Sequence, residues 1–219
     1  MNLERETAVL LKKEIRLEWR QRYAISGILL YVLGTVFIVY VAFQQLSPQL
    51  WNVLFWIIML FASVNAVAKS FVQESGTQQF YYYQLAHPLA VLFSKIIYNS
   101  ILLMLIGGLT MGALSLVAGN PIQREWIFML ALVLGSLGFS IAFTFISAIA
   151  ARTDNSATLM TILSFPLIIP MLLLLVNLSA HAIGLLEGSL IRDDAVLLIG
   201  IDLLLVGLAM VLFPFLWRD

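Results

Sequence analysis

Asp202 is the only charged residue inside any of the long apolar stretches of this chain. An acid at membrane depth is costly, so Asp202 is a candidate for a polar lining, a proton site or a lateral hydrogen bond. The other reading starts the last stretch near Leu203 and leaves Asp202 at the interface beside Asp193 and Asp194. The two histidines, His87 and His181, fall on opposite sides of a membrane in the topology derived below, so they share no metal site. The sequence holds no H-E-x-x-H, no G-x-S-x-G and no G-x-x-x-x-G-K-[ST], which argues against a zinc hydrolase, a serine hydrolase and a P-loop nucleotide site. Cysteine is absent, which removes disulfides, Cys-ligated metal and thiol chemistry. No catalytic residue and no metal ligand is therefore expected on this chain.

The remaining polar and small residues in the apolar stretches point to packing before chemistry. Asn65 and Asn177 are expected to make interhelical hydrogen bonds. Gly108 with Gly112, Ala131 with Gly135 and Ser136 with Ser140 repeat a small-x-x-x-small spacing that lets helix backbones approach closely. Pro166 and Pro170 lie four apart and remove backbone donors from one face of a helix, which makes them hinge candidates.

The elements that carry these residues follow from composition. Of 219 residues, 62% are hydrophobic and 11% charged, against about half and about a quarter in soluble domains. Twelve Lys plus Arg balance twelve Asp plus Glu, so no net field exists to hold nucleic acid. Uncharged stretches long enough to span a bilayer lie at about 25–43, 50–68, 96–118, 126–151, 159–179 and 195–217, with Asp202 as the single exception. A β-barrel would instead show short segments of alternating polarity. The expected fold is an all-α integral membrane protein, a single permease domain over 1–219 with six transmembrane helices. Ten of the twelve basic residues fall in the first segment, the second and fourth loops and the tail; only Arg124 and Arg192 lie opposite, which places both termini in the cytoplasm. Trp19, Trp51, Trp126 and Trp217 fall at expected span ends, as interfacial aromatics do.

The first two dozen residues mix acids and bases and contain no apolar core of a cleavable signal, so the stretch from Ile25 is expected to be an uncleaved anchor. Residues 1–23 plot as an amphipathic elbow helix with Ala8, Leu11, Ile15, Trp19 and Tyr23 on one side and Lys13, Arg16 and Arg20 opposite. Such a helix lies at the interface, near anionic lipid headgroups. The loop 69–95 is the second informative stretch. Glu74 and Gly76 mark a break, Thr77 can N-cap a short helix, and Pro88 stops it. Phe80, Tyr81, Tyr82 and Tyr83 make this short cytoplasmic helix dense in aromatics, which suits a protein-binding knob or an interfacial anchor equally.

The order of basic elbow, six spans and a first cytoplasmic loop carrying F-x-x-E-x-G-T, then Pro, then a Lys before span three resembles the exporter-type (ABC-2-like) ABC transporter permeases. Within them, the opening from Leu10 to Arg20 and the span Ser164-Phe165-Pro166-Leu167-Ile168-Ile169-Pro170 resemble the CcmB family, the heme exporter protein B of cytochrome c maturation. Ser94 stands where that family commonly has Gly, and His87 where it often has a small residue.

The resemblance implies a non-catalytic subunit of a bacterial inner membrane, multi-pass. It would pair with a separate ATP-binding cassette subunit that holds ATP and with a heme-handling membrane protein, in two copies per transporter. Glu74, Gly76, Thr77, Phe80, Tyr82 and Pro88 would form the ATPase-coupling helix, and Leu11, Ile15, Arg16, Trp19 and Arg20 the elbow. Heme would be cargo and no resident cofactor is assigned; neither histidine is a persuasive heme ligand. Heme passage and ATP-driven release of a heme-loaded chaperone both remain open here. So do a permease for a lipid, drug or glycan and a scaffold without transport.

Overall fold

The computed structural model describes residues 3–20, 22–43, 46–67, 86–151, 156–186 and 191–218, and every regular element among them is a helix. In chain order they are α1 (Leu3–Arg20), α2 (Arg22–Ala42), α3 (Pro48–Val67), α4 (Pro88–Ala118), α5 (Glu125–Ala150), α6 (Ser156–Ala182) and α7 (Ile191–Arg218). Five of them (α3, α4, α5, Thr158–Ala182 of α6 and Ile191–Leu216 of α7) are long and apolar enough to cross a membrane, and α2 carries a shorter apolar stretch, Ser26–Ala42. In hydrocarbon the backbone must satisfy itself, which a helix does within one segment.

Helix α5 is the hub and packs on α3, α4, α6 and α7. Its small residues make this possible. A methyl group on Gly135 would stand 2.7 Å from the Trp56 ring and 3.1 Å from Leu175, and one on α4 Gly107 would collide with Leu132. Around them α3 and α5 build an aromatic core: Phe55 meets Phe128 edge-on at 5.0 Å and Trp56 at 5.1 Å. Helix α2 contributes one stripe, Ile28, Val32, Val36 and Val39, spaced three and four apart, and turns Leu30, Leu33, Phe37 and Ile38 outward.

Three details differ from the sequence reading. Helix α4 begins at Pro88, eight residues before the expected span, because Pro at the first helical position has no donor to lose and His87 precedes it in extended geometry. Pro88 therefore opens α4 and does not stop a preceding helix, and residues 88–95 belong to α4. Trp51 is a core residue, 1% exposed and stacked on Phe55 at 5.7 Å, whereas Trp126 is exposed as an interfacial aromatic would be. Gly108 and Gly112 have nothing within 4 Å of where a Cβ would sit, so this glycine pair faces out of the bundle and brings no helix of the described chain close.

At one end of the bundle the connection from α4 to α5 is sewn to α6. The Gln123 and Arg124 N–H groups both donate to the Ala182 carbonyl, at 3.0 and 2.9 Å. Gly184, with φ of 77°, lets the chain turn there.

Candidate coupling joint and intramembrane polar cluster

Helix α1 is held against the start of α4 at two points. The backbone N–H of His87, just ahead of α4, donates to Glu6 Oε2 at 3.3 Å. The first turn of a helix leaves its N–H groups unsatisfied and carries positive potential, so a carboxylate is favoured there. Two turns on, Glu14 Oε1 lies 3.5 Å from Lys95 Nζ and 3.5 Å from Lys13 Nζ. Lys95 is 2% exposed, so the pair is a buried one. Both steps, Glu6 to Glu14 and His87 to Lys95, are eight residues, about 12 Å along a helix. The two helices therefore run side by side in the same direction, in a register set by one hydrogen bond and one ion pair.

This docking turns α1 over relative to a soluble amphipathic helix. Glu6, Leu10, Lys13 and Glu14 face the protein, while Ala8 and Ile15 of the expected apolar face point outward and Leu11 is half-buried. Arg16 and Lys12 are exposed beside them. Trp19 and Arg20 lie in α1, and their side chains are outside the described part of the structure. Of the loop candidates, Glu74, Gly76, Thr77, Phe80 and Tyr82 lie outside the described residues, and Pro88 stands at the foot of α4.

Deeper in the bundle, polar groups from different helices meet. Asn52 Nδ2 donates to the Val176 carbonyl at 2.9 Å, its Oδ1 lies 2.7 Å from Ser179 Oγ, and the Trp56 indole N–H donates to the same Ser179 oxygen at 2.8 Å. Asn99 donates to Thr144 Oγ1 at 2.8 Å, and Ser140 to the Ile96 carbonyl at 2.8 Å. Asn65 instead bonds its own helix at Phe61 and is exposed, as is Asn177, so the asparagines that tie helices together are Asn52 and Asn99. A polar residue on the narrow buried stripe of an apolar stretch is the signal that separates them, and that stripe is invisible when a stretch is apolar all round.

Asp202 lies well inside α7, which begins at Ile191, and not at its entrance with Asp193 and Asp194. It is 7% exposed, and neither carboxyl oxygen has a hydrogen-bond partner. Its seat is Gly138 of α5: a Cβ there would stand 2.5 Å from Oδ1 and would also strike Met171 of α6. Pro166 and Pro170 lie within α6 on its exposed side, and α6 is continuous through both. His181 is buried near the opposite end, Nδ1 at 3.1 Å from the Leu186 carbonyl and Nε2 at 3.8 Å from Asp194. His87 is exposed ahead of α4.

A model of the family described as CcmB protein matches residues 5–216, nearly the whole chain. No curated protein matches it.

Proposed function

The chain belongs to the CcmB family, and on that premise we propose that it is the membrane subunit of an ABC transporter complex in cytochrome c biogenesis. It couples ATP hydrolysis on a separate ATP-binding subunit to heme export or to release of a heme-loaded chaperone. In this reading α2 is the first of six spans, α1 is the elbow, both termini are cytoplasmic and the membrane is a bacterial inner one. Two copies and a heme-handling membrane protein complete the assembly. The ten-to-two distribution of basic residues supports the orientation. Single cysteines at Ser47 or Ser189 should react with an impermeant thiol reagent from outside, and those at Ser75 or Ser156 should not. The reverse pattern would remove this topology.

The observation that carries the coupling role is the two-point joint between α1 and α4. Residues 74–88 lead directly into the foot of α4, so a push on that segment moves α4 and α1 together. Glu74, Gly76, Thr77, Phe80 and Tyr82 supply the contact with the ATP-binding subunit, and Pro88 passes it on. The outward apolar stripe of α1, with Lys12 and Arg16 beside it, rests on anionic headgroups and gives the lever its fulcrum. His181 is engaged within the protein and His87 stands at the joint, which favours release over passage of heme through this chain.

The test is co-expression with the ATP-binding subunit. A Phe80→Ala and Tyr82→Ala double variant should lose the complex, since interface aromatics contribute about 2 kcal/mol each, or roughly 30-fold in affinity. Glu14→Ala should keep the complex but lose stimulation of ATP hydrolysis and maturation of c-type cytochromes. Full maturation in both variants would reject the coupling role.

A further inference from the structure

We propose that Asp202 is a proton-binding site at the junction of α5, α6 and α7: it holds a proton while α7 is seated on Gly138, and proton release requires that seat to open. This inference does not depend on the cargo or on the ATP-binding partner.

The geometry carries it in three steps. First, the carboxyl is more than nine-tenths buried and both of its oxygens lack a donor. An anion cannot remain in such a place, because burial strips its water and nothing in the protein replaces it. A neutral acid can, because its charge is gone and with it most of the cost of burial. Second, the position is deep. Asp202 is seven residues beyond Ala195, where the apolar part of α7 begins, about 10 Å, and its seat Gly138 is thirteen residues beyond the start of α5, about 20 Å, so the carboxyl lies inside a bilayer core of about 30 Å and clear of its edges. Third, the seat is shaped for the carboxyl. Any side chain at position 138 would occupy the space where Asp202 Oδ1 and the Met171 methyl now lie.

The charged and titratable side chains on the helices packed against α7, among the described residues, are Lys95 and Tyr98 of α4, Glu125 of α5 and His181 of α6, with Arg192, Asp193 and Asp194 on α7 itself. None makes a hydrogen bond or an ion pair with Asp202. Lys95 is bound to Glu14, and His181 faces Asp194 and the Leu186 carbonyl. When the proton leaves for solvent water, the carboxylate left behind must gain water or a donor, and only separation of α7 from α5 supplies either. Proton occupancy and helix packing are thus two readings of one state.

Infrared spectroscopy of the full chain in phospholipid nanodiscs tests this. At neutral pH the wild-type spectrum should contain a carboxylic-acid carbonyl band that moves in heavy water, fades as pH is raised and is missing from Asp202→Asn. Asp202→Glu, which keeps the carboxyl, should restore it and guards against a folding defect in the amide variant. Gly138→Ala should shift the pH at which the band fades, whereas Gly200→Ala, at a glycine with open space beside it, should leave it in place. A wild-type spectrum without a band that depends on Asp202, or a band indifferent to Gly138→Ala, overturns the proposal.

Discussion

The joint between α1 and α4 and the seat of Asp202 both bury charge-bearing side chains, and they treat them in opposite ways. At the joint, Glu14 stands between Lys13 and Lys95, and Glu6 meets an amide ahead of α4. At the seat, a carboxyl lies over Gly138 with no hydrogen-bond partner on either oxygen. Buried charge that is paired sets register, because only one alignment of two helices lets every partner meet. A buried carboxyl without a partner sets no register and costs stability, so it is kept for what it can do. The joint is the part that holds its shape, and the seat is the part that can change state.

The sharpest way to break this comparison is to unpair the joint. Lys95→Met leaves Glu14, largely buried, without its α4 partner, and removing one member of a buried pair costs about 3 kcal/mol. Unfolding of the purified chain by denaturant in detergent micelles should register that loss. Lys95→Glu combined with Glu14→Lys should recover most of it. A single variant as stable as wild type would mean that the joint has no more structural weight than the seat.

A smaller effect is expected from the neutral ties. Asn52→Ala deprives Ser179 of a partner and removes the bond to the Val176 carbonyl, which should cost about 1 to 2 kcal/mol in the same denaturation assay. The expected order, ion pair above amide tie, ranks joint and core by the same measure. An equal or larger loss for Asn52→Ala would shift the structural weight from the joint to the α3–α6 contact.

Much of this architecture is legible in the amino-acid sequence, and the parts that are not have identifiable causes. Apolar length alone locates the long helices, because a bilayer needs about 20 residues whatever their neighbours. The same criterion starts α4 too late because it breaks at Lys95, a charge that Glu14 neutralises from 81 residues away. The wheel of α1 is sound, yet it cannot say which face meets protein. In water an isolated amphipathic helix would turn its apolar face to protein, but here the polar face finds its partners on α4 and Ala8 and Ile15 of the apolar face point outward. Trp51 reads as interfacial by position and is buried by its stacking on Phe55 and edge contact with Phe128. Asp202 stands out by its type alone; its lack of partners and its glycine seat are properties of three helices that no single stretch contains.

The smallest change in stability, and the one that separates the two regions most cleanly, is expected at Asp202 itself. If a buried polar group has no partner, replacing it with an apolar residue of similar size removes a penalty and leaves nothing unsatisfied. Asp202→Leu should therefore unfold within about 1 kcal/mol of wild type, on either side of it. Asp202→Asn should be the less stable of the two, because the amide brings two donors to a place that offers no side-chain acceptor, at a cost of about 1 kcal/mol or more. An ordinary buried aspartate, tied into a hydrogen-bond network, gives the opposite order, with Asn the milder change. The same pair of variants then divides stability from function: the leucine variant keeps the fold and loses the proton, so maturation of c-type cytochromes should fall while the protein still assembles. An Asp202→Leu variant that unfolds as readily as Lys95→Met would show that the carboxyl is held by a partner after all, and the contrast between joint and seat would be gone.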